Sequence, residues 1–302
     1  MEQITQTDIK TTPGNLGCNL GFLDAAENAG SELDFVLPGF LAGTVGSVVG
    51  PGSTGKTYLT LEAAVSVACE GVDLLGLGLK RHGEVGILCA EDPLIVLRKR
   101  LNAISKLLSI SQRIEVDDNF NLVVKDPEAP SWDLMKKGTL DRFTDWGEGK
   151  RLIILDTIIR FHSKDENSNS DMVRVMQQLE LLAARTGAAV LYVHHVNKGA
   201  AAAGDNGQHA ARGASVLTDN ARWGAALTKD KDLDRLVFNI PKNNYAAPIS
   251  DLYFKRVEGG VLVPVEAPAV KSTKSGSGKK PVDNLQTILG EEDDDDDFFA
   301  PA

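Results

Sequence analysis

The chain has 302 residues, with 42% hydrophobic and 25% charged residues, which suits one large soluble domain with short appendages. No run reaches the roughly 18 apolar residues of a membrane span, and Met1-Glu2-Gln3-Ile4-Thr5 has neither the basic nor the apolar region of a secretory leader. The net charge of −10 does not exclude a nucleic-acid partner, because seven of those charges form one run, Glu291 to Asp297, and the rest of the chain is near −3.

In chain order, residues 1–40 read as an N-terminal arm. Its end, Leu33 to Phe40, is apolar and carries a Pro38-Gly39 breaker, so it is expected to dock as an extended segment. A core over 41–267 follows, with strands predicted near 44–49, 84–89, 121–124, 151–156 and 189–194 and helices near 56–70, 93–108, 131–146 and 170–186. Alternation of short apolar runs with helical patterns implies βαβ units and an α/β fold built on a mostly parallel sheet flanked by helices. Beyond residue 196 lie a Gly- and Ala-rich loop, a short helix over 213–220, and four strand-like runs, Trp223–Leu227, Arg235–Ile240, Asp251–Val257 and Val261–Val265. These predict a β-rich C-terminal extension of the sheet edge with antiparallel pairing. Residues 268–302 form a Lys/Ser/Gly/Pro linker and an acidic tail, too polar to fold alone and expected to be disordered. Cys18, Cys69 and Cys89 lack C-x-x-C spacing, so they read as reduced thiols of a cytoplasmic protein.

Four strand ends carry the chemistry. Gly50-Pro51-Gly52-Ser53-Thr54-Gly55-Lys56-Thr57 fits the phosphate-loop pattern G-x-x-x-x-G-K-[ST], with a strand before it and a helix, opening at Tyr58, after it. Glycines let the backbone close on phosphate oxygens, and successive amides at a helix N-terminus attract the anion. Lys56 would bridge the β- and γ-phosphates and the Thr57 hydroxyl would ligate Mg²⁺, so ATP and Mg²⁺ are the expected cofactors. Leu152-Ile153-Ile154-Leu155-Asp156 ends a buried strand in a carboxylate, the second metal-supporting group. Val85 to Cys89 leads to Ala90-Glu91-Asp92-Pro93. If that strand lies beside the phosphate-loop strand, Glu91 can polarise the attacking water, while Asp92 before Pro93 reads as a helix cap. Val190 to His195 ends in two histidines. A zinc site there would need further ligands, so His195 is read as a γ-phosphate sensor, with a plain core histidine as the other reading. Arg98, Arg100, Arg160, Arg212 and Arg222 lie near these motifs, and no spacing rule says which one stabilises the transition state.

Taken in order, these pieces resemble the RecA-like hexameric replicative DNA helicases of the DnaB-like superfamily, plasmid RepA type. The likeness spans roughly residues 33–265. It rests on Leu37-Pro38, Ala90-Glu91-Asp92-Pro93, Leu155-Asp156-Thr157 with Arg160-Phe161-His162, His194-His195-Val196-Asn197-Lys198-Gly199, Arg212 to Leu217 with Asp219 to Trp223, and Lys242-Asn243-Asn244-Tyr245. The resemblance implies a RecA-like phosphate-loop NTPase core assembled as a homohexamer that translocates on single-stranded DNA. In it Glu91 is the catalytic base and His195 reports the γ-phosphate to the DNA loops. Arg100 matches a family arginine after the catalytic glutamate, and Arg222 looks like the finger reaching a neighbouring subunit. Relatives carry Lys-x-Arg where this chain has Lys242-Asn243-Asn244; the missing arginine shifts weight to Arg222 and leaves Lys242 as a second contact in trans. Loops over 160–170 and 197–211 would face the channel, with Arg160, Lys164 and Lys198 on DNA phosphates. The tail ending Phe298-Phe299 resembles tips that dock on replication partners; shielding of the DNA loops and simple solubilisation are the other readings. A non-unwinding RecA-like DNA-dependent ATPase and a nucleotide-dependent assembly scaffold are the alternative functions. No membrane partner is expected.

Overall fold

The computed structural model describes residues 19–195, 217, 220–230 and 233–268. Cys18, Lys198, Arg212, the 197–211 loop, most of the 213–220 helix and the linker and tail after Pro268 lie outside the described residues. Residues through Ala267 form one compact unit. It opens with α1 (Phe22–Glu27), β1 (Phe35–Leu37), β2 (Phe40–Leu41) and β3 (Val45–Gly50), followed by α2 (Lys56–Ala68), β4 (Val85–Cys89), α3 (Leu94–Ser105), α4 (Ile110–Asn119) and β5 (Phe120–Val124). Then come α5 (Thr139–Gly147), β6 (Leu152–Asp156), α6 (Asn169–Thr186), β7 (Ala189–His195), β8 (Trp223–Lys229), β9 (Leu236–Asn243), β10 (Leu252–Arg256) and β11 (Leu262–Val265).

Nine strands make one sheet in the order β11-β10-β9-β8-β3-β7-β6-β4-β5. From β8 to β5 every pairing is parallel, and β9, β10 and β11 add antiparallel strands at the other edge. The C-terminal extension joins the sheet through β8, which pairs parallel with β3, and its further pairings are antiparallel as expected. The central strands β3, β4, β6 and β7 are mostly apolar and buried at every position but His195, because both faces of the sheet are covered. Along β6, Leu152 and Ile154 face the core under α2, α3 and the N-terminal segment, while Ile153 and Leu155 face the one under α5 and α6.

Two helix expectations change. The predicted 93–108 helix stops at Ser105, and a second helix begins at Ile110. The Ser109 hydroxyl accepts from the Gln112 amide and the Gln112 side chain accepts from the Ser109 amide, a capping box that starts α4 afresh. The predicted 131–146 helix begins only at Thr139, because Gly138 sits in the left-handed region with φ 79°. The residues before it form a loop whose Trp132 stacks on Phe161 at 5.6 Å between ring centroids.

The end of the N-terminal arm docks as expected, but as a hairpin rather than a single extended segment. β1 and β2 pair antiparallel around Pro38-Gly39. Trp223 at the start of β8 donates its indole N–H to the Pro38 carbonyl at 2.9 Å and stacks on Phe40 at 4.9 Å. Asp34 accepts two hydrogen bonds from the Arg151 guanidinium, at 2.9 and 2.6 Å, and that guanidinium holds its carboxyl below the usual range.

Candidate nucleotide-binding and hydrolysis site

β3 delivers the chain to the phosphate loop at the C-terminal edge of the parallel strands. Gly50 has no room for a side chain, since a Cβ there would lie 2.4 Å from the Leu227 carbonyl oxygen. Gly55 caps α2 with φ 101°, which only glycine adopts without strain. The Thr54 hydroxyl closes the loop on the Pro51 carbonyl at 2.9 Å. Lys56 runs back under the loop and donates to the carbonyls of Gly50 and Pro51, both at 2.8 Å. Burial lowers the pKa of this ammonium to about 8, against the pull of Asp156 and Glu91.

The acids converge from β4 and β6, which are neighbours. β7 lies between β6 and β3, so the Glu91 strand is separated from the phosphate-loop strand by two others and does not lie beside it. Glu91 reaches the site all the same, because it projects beyond the strand end toward His195 at the tip of β7. Its carboxylate accepts from the Thr157 hydroxyl at 3.0 Å and lies 3.5 Å from His195 Nε2 and 3.5 Å from Arg160 Nε. The other ring nitrogen, His195 Nδ1, lies 3.0 Å from Lys56 Nζ. An ammonium has only donors, so Nδ1 accepts and the ring proton belongs on Nε2, facing Glu91. Burial and the Lys56 charge both push the His195 pKa down, which favours this neutral tautomer.

Asp156 is 5% exposed, and burial lifts its carboxyl to about 6 despite a hydrogen bond from Thr57. A threonine hydroxyl beside a buried carboxylate is a hard-oxygen pair that suits Mg²⁺, an ion that keeps several waters and takes phosphate oxygens as its other ligands. Among the described residues no cluster of three or more His, Cys, Asp or Glu could hold a metal without such help. The residues present thus fit a magnesium–nucleotide complex. Bound Mg²⁺ would neutralise charge on the transferring phosphoryl group.

One expected role changes. Asp92 makes no helix cap: Pro93 is the N-cap residue and no side chain bonds the first turn. Asp92 instead pairs with both terminal nitrogens of Arg100, a two-pronged charged interaction that outcompetes a single cap bond. Arg100 also stands over the Tyr58 ring, 5.5 Å from its centroid, so these two residues wall one end of the pocket. His194 is a buried core histidine, 4.0 Å from Glu166 and lowered to about 4 mainly by burial. Lys164 pairs with Asp171 at 3.6 Å. Arg222 and Lys242 are not brought to the pocket of their own chain. β8 runs parallel to β3 with Trp223 opposite Gly46, and Gly224 lies between Ser47 and Lys242, so Arg222 sits roughly 15 Å of strand and Lys242 roughly 10 Å of strand before the start of the phosphate loop.

Arg256 at the end of β10 went unseen in the sequence. It lines the same pocket and donates to the Ser53 carbonyl at 3.4 Å, over the Gly55 turn. No motif marks it, since two hundred residues separate it from the loop it covers.

The sequence matches the family described as the AAA domain over residues 20–201, more than half of the chain. The chain belongs to that AAA-domain family. Two solved structures resemble it in fold. One is an ATPase domain, which matches with a TM-score of 0.55 and 14% identity over 81% of this chain and 96% of that one. The other is a DnaB-like replicative helicase, solved with attention to its interactions with primase, which matches with a TM-score of 0.58 and 14% identity over 81% of this chain and 65% of that one. This AAA-domain protein therefore has a RecA-like fold, a mostly parallel sheet flanked by helices with a strand-rich C-terminal region. Among the described residues no helix is long and apolar enough to cross a membrane.

Proposed function

We propose that the protein is an ATP-dependent DNA helicase of plasmid or phage replication, of the plasmid RepA type, working in the cytoplasm as a homohexamer that translocates on single-stranded DNA. The observation that carries this reading is the unbroken chain from Lys56 through His195 to Glu91, at 3.0 and 3.5 Å. It links the phosphate loop to the hydrolytic base at the ends of β6 and β7. In this reading the amides of 50–57 and Lys56 hold the phosphates of ATP, Thr57 and Asp156 hold Mg²⁺, and Tyr58 with Arg100 flanks the nucleotide. Glu91 takes a proton from the attacking water, an effect worth about 10²–10⁴-fold. Arg222 and Lys242 act on a neighbour's nucleotide, in keeping with their distance from their own loop. Arg160, Lys164 and Lys198 contact DNA phosphates, residues 41–267 are the motor, and the 268–302 segment engages a replication partner.

A second reading is a DNA-dependent ATPase that does not unwind. It is favoured by the pairing of Arg160 with Glu91 and of Lys164 with Asp171, which among the described residues of the 160–170 loop engages both cations expected to meet a strand. ATP-driven strand displacement on a forked duplex, measured beside ATP turnover with and without single strands, decides between them. Displacement that disappears in Glu91→Gln, with nucleotide binding retained, is the expected result. Stimulated turnover without displacement selects the second reading. Nucleotide-dependent assembly without turnover selects a scaffold and refutes both.

A further inference from the structure

Arg160 occupies an unusual place for a residue expected to grip DNA. It closes the short 3-10 turn Ile158–Arg160 directly after β6, and its Nε lies 3.5 Å from Glu91 Oε1. The same oxygen takes the Thr157 hydroxyl at 3.0 Å, and the other carboxylate oxygen faces His195 Nε2 at 3.5 Å. One hydrogen bond, from Thr157, and two longer polar contacts, from Arg160 and His195, thus surround the carboxylate proposed to activate water. Two of these residues, Thr157 and Arg160, come from the turn that leads into the 160–170 loop. The guanidinium side chain is 57% exposed, and its terminal nitrogens have no partner among the described residues. A guanidinium has five N–H donors in a planar fork that matches an anion bidentately. An ion pair this exposed is weak and is readily exchanged for a better one.

We propose that Arg160 is a positioning residue that latches Glu91 until the phosphodiester backbone of a single strand takes its guanidinium. With the latch closed, the Arg160 and Thr157 donors occupy the Glu91 oxygen that must accept the proton from water. A strand phosphate competing for Arg160 withdraws one of these donors, and Glu91 turns toward the reacting centre through the Thr157 and His195 contacts that remain. Strand binding and hydrolysis are then coupled through one side chain, with no domain rearrangement required. The coupling is reciprocal: a Glu91 that prefers the nucleotide side leaves Arg160 available and strengthens strand binding.

This inference rests on the assignment of Glu91 to ATP hydrolysis. The test is steady-state ATP turnover of the full chain, with and without a thymidine oligonucleotide, for wild type, Arg160→Ala and Arg160→Lys. Because the side chain is largely exposed, truncation removes no core packing, and unchanged thermal unfolding checks this. The latch predicts that Arg160→Ala raises DNA-free kcat several-fold at unchanged KM for ATP, while the ratio of stimulated to DNA-free turnover collapses toward one. Arg160→Lys, which keeps the charge and loses the fork, falls between. DNA-free turnover in Arg160→Ala that equals or falls below wild type overturns the latch. A wild type that hydrolyses ATP with no response to the oligonucleotide refutes the DNA-dependent reading instead, and a raised DNA-free rate in Arg160→Ala then still establishes the restraint on Glu91. Glu91→Gln, which must show no turnover with or without Arg160, separates both outcomes from an error in the hydrolytic assignment.

Discussion

Asp156→Asn is expected to stabilise the protein while abolishing its turnover. In the fold the Asp156 carboxyl is lifted from 3.8 to about 6, chiefly by burial, with Asp92 and Glu91 adding repulsion. That lift corresponds to about 3 kcal/mol. The sign follows from proton binding: between these two values the folded state holds the proton and the unfolded state does not, so stability falls as pH rises through that window. Above about pH 7 the whole penalty is present, and below about pH 3 it is gone. Asparagine keeps an oxygen for the Thr57 hydroxyl and removes the charge, so it recovers at most about 3 kcal/mol, or up to about 10 °C in Tm for a domain of this size. The assay is thermal unfolding of both proteins in a chelator without nucleotide, at about pH 7.5 and about pH 4.5. The difference between the two proteins matters, not either curve alone. Glu62, buried in α2 and lifted to about 8, titrates in both and cancels. An asparagine variant no more stable than wild type near neutrality, or a gap that does not shrink on acidification, would show that this carboxylate is not the strained group described.

Other expectations concern the hairpin, the trans contact and the tail. Trp223→Phe keeps an aromatic ring against Phe40 but strands the Pro38 carbonyl, so chemical denaturation is expected to show a loss of about 1–3 kcal/mol; an unchanged midpoint would mean the hairpin is not anchored there. Mixing Arg222→Ala with Lys56→Ala subunits is expected to restore part of the ATPase activity each lacks alone, because some interfaces join an intact loop to an intact finger. Full activity of Arg222→Ala by itself sinks that assignment. Deleting residues 291–302 is expected to leave intrinsic turnover unchanged while abolishing replication in cells, and tighter single-strand binding at low salt would point to shielding instead.

The strands β3, β4, β6 and β7 were legible because each is a short, mostly apolar run ending beside the candidate site, and Lys56, Thr57, Glu91 and Asp156 are marked by local pattern. What the sequence hid is non-local. Nothing in residues 189–195 says that their strand lies between β3 and β6, yet that insertion puts His195 between Lys56 and Glu91. Asp92 beside Pro93 looked like a cap because the competing guanidinium lay eight residues away, a longer reach than capping patterns consider. Arg256 is invisible for the same reason at greater range. Two misses were local and readable. Ser109 followed by Gln112 spells a helix start, and Gly138 spells a break.

The docked hairpin decides where this molecule can be cut. A fragment begun at Leu41, where the composition changes, would lose Phe40 from beneath Trp223, the Pro38 carbonyl from its indole, and Asp34 from Arg151. It would expose the apolar side of the central strands that those residues roof. Anyone grafting this motor onto another protein must therefore splice ahead of Asp34, in the exposed stretch around Gly30, and carry the hairpin along as part of the transplant.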